Sequence, residues 1–153
     1  MTARLCGVPK RDRGAAVNRA LDLTGCGPRA DQPVRTLSGG WRRRANLSAA
    51  LVGQPRLLIA DEPTTALDVT VQAQILNLIK DLKSKYGMAV ILITHDLTIV
   101  KQFSEYVYVM QHGRVQEHNT TEELFSNPRH AYTRHLLASE PKGSAKPIAA
   151  DSP

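Results

Sequence analysis

Three groups of residues in the 153-residue chain have side chains that suit phosphate chemistry. Asp61 and Glu62 follow four apolar residues at 57–60, and such an acidic pair at a strand end can hold Mg²⁺ and orient an attacking water. Residues 37–40 read Leu-Ser-Gly-Gly, where glycines let the backbone approach an anion and the Ser38 hydroxyl and a helix N-terminus offer donors. His95 follows a second apolar run and could donate a hydrogen bond to a phosphate oxygen.

Each group also has an ordinary structural explanation. A strand that ends in an acidic turn is common, and Ser38 is a suitable N-cap for the helix predicted to run from there to about Val52. A lone histidine in a turn is more often structural than functional. Taken singly, the three groups leave the function open.

The elements predicted around these groups are a strand, a helix and a strand. The run at 56–61, which is apolar up to its final acid, and the run at 88–94 predict two strands of a parallel sheet, buried on both faces. Between them, apolar residues recur at helical spacing from Val71 to Leu82. This order predicts a right-handed βαβ unit, whose ligands lie at the carboxyl ends of the strands. Asp61, Glu62 and His95 occupy those ends.

Shorter elements are predicted on both sides of this unit. A helix is expected at 14–23, and a hairpin with strands at 106–110 and 115–117 could add an antiparallel edge to the sheet. Thr120 and Glu123 form a capping box for a short helix, a further helix follows at 132–139, and the tail from 140 to 153 is expected to be mobile.

Composition excludes several classes of protein. With 42% hydrophobic and 22% charged residues the chain has the composition of a folded domain. Its longest apolar run has six residues where a membrane-spanning helix needs about 20, and no secretory signal is recognised at its start, so a cytosolic location is expected. Cys6 and Cys26 suit neither a disulfide framework nor a metal site and are expected to be reduced.

Positive charge is concentrated in the first third of the chain. Residues 1–56 carry 11 Lys/Arg against 3 Asp/Glu, whereas residues 57–153 carry 9 against 11. Such asymmetry fits a nucleic acid, a membrane surface or the phosphates of a smaller ligand. Since no aromatic residues alternate with Arg42, Arg43 and Arg44, a solvated helix face is preferred there over a nucleic-acid site.

Four motifs in order resemble the nucleotide-binding domains of ABC transporters. They are Leu-Ser-Gly-Gly at 37–40, the run into Asp-Glu-Pro at 57–63, Thr-Ala-Leu-Asp at 65–68 and Ile-Thr-His-Asp at 93–96, within a resemblance that covers residues 36–139. The resemblance implies an α/β fold, a partial P-loop NTPase-like ABC ATPase core with a mainly parallel sheet flanked by helices. It also implies ATP and Mg²⁺ as cofactors.

The resemblance carries roles to individual residues. The signature motif, which contacts the γ-phosphate of ATP held by the opposite subunit, corresponds to Ser38, Gly39 and Gly40. The D-loop aspartate of the dimer interface corresponds to Asp68.

The hydrolytic residues of the family follow in the same way. Asp61 corresponds to the Walker B aspartate near Mg²⁺, Glu62 to the catalytic base and His95 to the switch histidine.

The C-terminal third resembles a particular subgroup. Segments at 113–115, 121–125, 127–133 and 136–137 are similar to ATPases of dipeptide, oligopeptide and microcin C-type importers, although Ala131 stands where proline is usual. Segments 34–36 and 42–44 are more like drug-exporter ATPases. The implied partners are a second ATPase domain, in a head-to-tail dimer, and transmembrane permease subunits, with the protein peripheral on the inner face of the membrane.

Two departures from the family stand out. No GxxxxGK[ST] phosphate loop occurs in the sequence, and the glutamine loop is missing too, which predicts a C-terminal fragment without the N-terminal phosphate-loop subdomain and inactive alone. The expected division is 1–53 for part of the helical subdomain, 54–139 for the C-terminal RecA-like half and 140–153 for a flexible tail. Trp41 replaces the usual glutamine of the signature, with mild impairment expected.

The fragment hypothesis has further consequences. Strands without their neighbours should expose apolar surface and unpaired backbone groups, which favours aggregation or a partner chain that completes the sheet. Two other functions stay open: a non-catalytic chain that lends its signature motif to a partner ATPase, and a basic nucleic-acid-binding protein.

Overall fold

The computed structural model describes residue 4 and residues 6–139, which form two compact units, one up to Ile93 and one from Thr94. None of the helices described there is long and apolar enough to cross a membrane. In chain order, the main elements are α1 (Arg13–Leu23), α2 (Gly39–Leu51), β1 (Leu57–Asp61), α3 (Val69–Tyr86), β2 (Ala89–Ile93), α4 (Leu97–Phe103), β3 (Tyr106–Gln111), β4 (Arg114–Thr120), α5 (Thr121–Ser126) and α6 (Ala131–Ala138).

The predicted strand, helix and strand form the centre of the first unit. Strands β1 and β2 are parallel, with Leu57 opposite Ala89 at one end and Asp61 opposite Ile93 at the other. Helix α3 connects them and buries an apolar stripe against Leu58 and helices α1 and α2. Since each large apolar side chain that is fully buried contributes about 1.5–3 kcal/mol, this stripe is what fixes the sheet to the helices.

The expectation that both faces of the sheet are buried is wrong for the described chain. Leu58 is buried on the helix side, but the other face leaves Leu57 46%, Ile59 60%, Ile91 48% and Ile93 48% exposed. The reason is that a parallel sheet needs helices on both faces, and the described residues of this unit cover only one. The expected exposure of apolar surface is thereby confirmed.

A buried hydroxyl pair joins α1 to α2. Thr24, which is fully buried, lies with its Oγ1 2.5 Å from Ser48 Oγ, and Ser48 in turn donates to the Arg44 carbonyl. The Arg44 guanidinium donates to the Thr24 carbonyl at 3.0 Å. Arg44 is therefore half-buried and structural, which corrects the interpretation of a wholly solvated face, whereas Arg42 is exposed as expected.

The second unit contains the predicted hairpin. Strands β3 and β4 are antiparallel and longer than predicted, and they meet at His112 and Gly113, both left-handed with φ of 50° and 72°. Two left-handed residues make the tight turn that matches strand twist. Among the described residues the hairpin pairs only with itself, so it does not extend the β1–β2 sheet as expected. Its two-stranded form makes it a separate sheet.

Helix α5 begins at the predicted cap. The Thr120 hydroxyl accepts from the Glu123 N–H at 3.4 Å, but the Thr120 N–H donates to Asn119 and not back to Glu123. Glu123 instead accepts from the Asn127 side chain at 3.1 Å. The capping box is thus half formed.

Glu117 on β4 holds the start of α6. Its carboxylate accepts hydrogen bonds from the N–H groups of Arg129 at 2.8 Å and His130 at 3.0 Å. The buried Thr133 hydroxyl also contacts the carboxylate, but without the geometry of an ordinary hydrogen bond. Burial acts to raise the pKa of Glu117, but the contact with Thr133, the two backbone donors and the charge of His130 outweigh it and lower the pKa. An ionised Glu117 therefore stabilises α6 on the hairpin.

Three smaller expectations complete the comparison. Both cysteines are free thiols, Cys26 buried and Cys6 exposed. The predicted mobile tail at 140–153 lies outside the described residues. The division of the chain at residues 53 and 54 stays a prediction.

Candidate functional site

The acidic pair occupies the carboxyl end of β1. Asp61 is the last residue of the strand and is exposed, while Glu62 is half-buried and turns the chain away from the sheet with a left-handed φ of 45°. Two hydrogen bonds hold this turn: the Glu62 N–H donates to the Ile93 carbonyl at 2.9 Å, and Thr65 Oγ1 donates to Glu62 Oε2 at 2.7 Å. Glu62 is therefore held in place through both its backbone N–H and its carboxylate.

The left-handed conformation of Glu62 is costly. A residue other than glycine pays about 1–2 kcal/mol there, and such strain persists where the surrounding structure imposes it, often at functional sites. Ala66, in the same turn, is also left-handed with φ of 62°. The backbone after β1 is thus bent twice within five residues, between Glu62 and the start of α3.

Asp68 ends this turn as the N-cap of α3. Its side chain accepts from the Val71 N–H at 2.9 Å, although the side chain is exposed. An N-cap of this kind stabilises a helix by about 1 kcal/mol. Asp68 therefore has a structural task besides the interface role that the sequence suggests.

Ser38 begins α2, as the sequence predicts. Its backbone has N-cap geometry and its carbonyl accepts from the Arg42 N–H at 2.9 Å, but its hydroxyl makes no cap hydrogen bond. The N–H groups of a first helical turn lack intrahelical partners, and the helix dipole favours an anion beside them. An exposed hydroxyl at this point suits a phosphate oxygen.

The two signature glycines have a packing reason that the sequence did not reveal. A Cβ on Gly40 would lie 2.5 Å from Val71 Cγ1, and one on Gly39 would lie 3.1 Å from Leu67 Cδ2. Arg43 adds a hydrogen bond of 3.4 Å to the Thr65 carbonyl. The structure thereby brings the start of α2 against the segment that follows the acidic pair.

Two arginines of its own unit lie near the ring of Trp41. The guanidinium carbon of Arg29 is 4.8 Å from the ring centroid, and that of Arg44 is 5.9 Å away. These distances suit cation–π contacts. The indole of Trp41 therefore packs on neighbouring side chains of its own unit.

His95 belongs to the second unit and is exposed two residues after β2. The residues beside it are fixed by hydrogen bonds. The Asp96 side chain caps α4 by accepting from the N–H groups of Thr98 at 2.9 Å and Ile99 at 3.2 Å. The Asp96 N–H donates to Thr94 Oγ1 at 3.1 Å. The turn that presents His95 is therefore ordered.

The donor set fits a magnesium ion bound jointly with phosphates. Within the described part of the chain, no group of three or more His, Cys, Asp or Glu side chains could hold a metal by itself. Mg²⁺ typically takes one or two carboxylates and completes its octahedron with waters and phosphate oxygens. Asp61 is a carboxylate that could take this place, at a strand end with Glu62 next in sequence.

The contacts of Thr65 and Val71 were not predicted from the sequence, although both residues lie in segments that the sequence analysis named. Thr65 bonds Glu62 from three residues away, and Val71 closes on Gly40. A Thr three residues after an acid was a usable signal for the first. No sequence signal marked the second, because it depends on the approach of two helices.

A family model described as ABC transporter matches residues 4–65. Peptidoglycan transport ATP-binding protein YejF of Agrobacterium fabrum is 61% identical over 107 residues, 70% of this chain and 20% of the relative. Oligopeptide transport ATP-binding protein OppD of Bacillus subtilis is 49% identical over 138 residues, 86% of this chain and 38% of the relative. A putative peptide import ATP-binding protein of Brucella ovis is 48% identical over 139 residues, 89% of this chain and 41% of the relative.

These values mean that the chain spans between 20% and 41% of the length of these three curated relatives. Solved structures agree on the fold. CbiO1 of Clostridium perfringens, part of the CbiONQ ABC transporter complex, superposes with a TM-score of 0.70 at 34% identity, over 78% of this chain and 47% of that one. A putative metal-chelate type ABC transporter superposes with a TM-score of 0.71 at 27% identity, over 76% of this chain and 46% of that one. The expected α/β ABC ATPase fold is thereby confirmed, and the chain is similar to the ATP-binding proteins of ABC transporters.

Proposed function

We propose that this chain supplies the hydrolytic acids and the signature motif of an ATPase that energises peptide import. The observation that carries the proposal is the strained Glu62, which follows Asp61 at the carboxyl end of β1. A glutamate in a conformation that favours glycine indicates that the carboxylate is needed there. The peptide and oligopeptide transport proteins among the relatives support the substrate class.

In the proposed reaction, the Glu62 carboxylate accepts a proton from the attacking water. Thr65 Oγ1 and the bond from the Glu62 N–H to Ile93 hold the carboxylate in place, so little reorganisation is needed at the moment of reaction. Asp61 would hold Mg²⁺ directly or through water. When bound with ATP, the ion neutralises charge that develops on the phosphates.

The other proposed residues act on the γ-phosphate. His95 would donate a hydrogen bond to one of its oxygens. Ser38, Gly39 and Gly40 would present the hydroxyl and N–H groups of the α2 N-terminus to ATP on a second ATPase domain. Asp68, at the end of the same turn, would meet that domain at the interface.

The reaction also needs a cradle for the β- and γ-phosphates. None of the 153 residues forms a GxxxxGK[ST] loop, so the proposal requires that such a loop come from outside this sequence. We further propose that the assembled ATPase acts with transmembrane permease subunits at the inner face of the membrane. The comparisons give no support to a nucleic-acid-binding protein or to a chain that only lends its signature.

The first measurement is the mass of the polypeptide in its native cells, by immunoblot with an antibody against residues 37–68. A product larger than the 16.8 kDa of this sequence should contain a phosphate loop in the same chain. A product of 16.8 kDa directs the search to a co-purifying chain that contributes the loop. Either result defines the assembly in which activity must be measured.

Glu62→Gln in that native assembly tests the assignment. ATP hydrolysis and peptide uptake should be lost, while ATP-driven association of the two ATPase domains should persist, because the amide keeps the shape of the side chain but cannot take a proton. Glu122→Gln, an exposed glutamate on α5, is the matched control. Undiminished hydrolysis by Glu62→Gln would show that Glu62 is not the base.

A further inference from the structure

A second site lies at the opposite end of β1 from the acidic pair. There the start of the strand, the end of α3 and helices α1 and α2 enclose a cleft of about 230 Å³. All of its walls belong to the first unit. The side chains that give it its chemistry are Arg19, Leu23, Leu51, Arg56, Tyr86 and Met88.

The side chains that line the cleft carry positive charge. Arg19 and Arg56 are exposed, and neither guanidinium makes a hydrogen bond or an ion pair with any residue that the structure describes. No acidic residue is found among the described residues that line the cleft. Lys85 Nζ lies 5.8 Å from the ring centroid of Tyr86 at its border. A guanidinium binds carboxylates through two parallel hydrogen bonds, so this end of the sheet is complementary to an acidic partner.

The floor of the cleft is apolar. Leu51 and Met88 are buried, Leu23 is half-buried, and the ring of Tyr86 stays 42% exposed at the rim. Tyrosine and arginine around an apolar floor are the residue types that dominate binding energy at protein interfaces. The cleft therefore offers an anchor point for an apolar side chain, with cations on either side.

The backbone of the cleft is strained as well. Gln54, which lines it, is left-handed with φ of 50° although it is not glycine. Such strain is more often retained where a site depends on the local shape.

We propose that this cleft binds an acidic peptide segment of a partner protein. One leucine- or phenylalanine-sized side chain would lie on the floor, and flanking carboxylates would pair with Arg19 and Arg56. The volume is below the roughly 300–1,000 Å³ of typical small-molecule pockets, which favours an anchoring side chain over a whole ligand. Binding at this end would not require nucleotide.

Two other anionic partners fit less well. An acyl chain of a lipid is longer than a floor made of three side chains. A nucleic acid requires a groove that follows its backbone and several stacking rings, whereas Tyr86 is the one aromatic residue among the described residues that line this cleft. The acidic peptide is therefore the partner that the shape and the charge favour together.

The test uses the full chain and a fluorescein-labelled octapeptide of alternating glutamate and leucine. Fluorescence anisotropy should show binding that weakens about 10-fold in Arg19→Gln/Arg56→Gln, since each charge-assisted contact at a partly exposed site is worth roughly a few-fold in affinity. Arg35→Gln/Lys80→Gln removes two exposed cations that do not line the cleft and should bind as the unmodified chain does. A glutamine–leucine octapeptide should bind far more weakly.

Several outcomes would overturn the proposal. They are no binding of the acidic octapeptide, equal loss in both double variants, or stronger binding of phosphatidylglycerol vesicles or single-stranded DNA with the same dependence on Arg19 and Arg56. The octapeptide should bind Glu62→Gln undiminished. The result is therefore separate from the test of hydrolysis.

Discussion

The two ends of the parallel sheet differ in charge and in how their residues are gathered. At the carboxyl end, Asp61 and Glu62 are adjacent in sequence and are followed by the segment that packs against the start of α2. The amino end instead collects Arg19, Arg56 and Tyr86 from separate segments. The comparison shows why the acidic end can be read as a motif and the basic end cannot. The residues of a contiguous motif are neighbours in the sequence and can be recognised there. The residues of a cleft built from distant segments become neighbours only when the chain folds.

The largest effect is expected at the acidic end, on catalysis. Glu62→Gln should lower ATP hydrolysis in the native assembly by about 10²–10⁴-fold, the usual contribution of a general base. Steady-state phosphate release measures it. A reduction of less than 10-fold would remove the contrast between a reactive and a purely binding end of the sheet.

The next effect concerns the packing of the signature helix on this end. Gly40→Ala should lower the free energy of unfolding by about 1–3 kcal/mol, since the added methyl meets Val71 Cγ1 at 2.5 Å and the core must shift. Urea titration followed by circular dichroism measures the change. Gly14→Ala on α1 is the control, because its Cβ would meet no atom within 4 Å.

The outcome that contradicts this explanation is equal stability of Gly40→Ala and Gly14→Ala. Adding Val71→Ala to Gly40→Ala should recover part of the loss, because it removes the side chain that the methyl meets. No recovery would indicate that Gly40 is needed for something other than this contact.

The third prediction concerns the left-handed residues at the two ends of the sheet, Gly87 and Glu62. Gly87, before β2, has φ of 59° and open space at its Cβ, so Gly87→Ala should cost about 1 kcal/mol of stability through backbone strain alone. Glu62→Gly relieves the same strain and should leave stability unchanged or raise it by up to about 1 kcal/mol. Thermal unfolding of both variants tests this. A marked loss of stability in Glu62→Gly would mean that Glu62 is retained for folding.

The smallest effect is expected from a glutamate outside both ends. The lowered pKa of Glu117 means that the folded state favours the carboxylate, so its stabilisation is present above the unfolded value near 4.5 and is lost as pH falls through the lower folded value. Glu117→Gln should flatten the pH dependence of stability below about pH 4.5. Hydrogen exchange of the α6 amides between pH 7 and pH 3 reports it, with Asp81→Asn on exposed α3 as control.

An unchanged pH dependence in Glu117→Gln would show that other groups hold α6. Loss of the pH dependence in Asp81→Asn as well would indicate a general effect of charge. Glu117 also sharpens the contrast with Glu62, because a structural glutamate is held by backbone donors without left-handed strain.

Much of the fold was predictable because its signals are local. The apolar runs predicted β1 and β2, the spacing from Val71 to Leu82 predicted α3, and Ser38 and Thr120 were recognised as caps. Hydrophobic periodicity and capping act within a few residues, so neighbours in sequence suffice to recognise them. Boundaries differed by up to four residues, since α3 ends at Tyr86 and the predicted stripe at Leu82, and the last three residues of β4 were not predicted.

Burial of whole faces was not predictable in the same way. The apolar pattern of Leu57, Ile59, Ile91 and Ile93 suits a strand covered on both sides, but coverage depends on which elements pack there. The same limit applies to the hairpin, whose pairing partner is a property of the sheet and not of its own turn.

The sequence by itself determined the similarity to ABC transporter ATP-binding proteins, the βαβ order and the candidates for chemistry, because motifs such as residues 37–40 and 57–63 place reactive side chains in contiguous segments. Only the tertiary structure decided that Glu62 is strained, that Gly40 packs against Val71 and that Arg19 and Arg56 share one cleft. The packing of Gly40 and the cleft depend on distances between segments that are remote in sequence. The strain of Glu62 depends on a positive φ angle, which residues other than glycine disfavour. Packing of the whole unit sets both, and no local pattern encodes them.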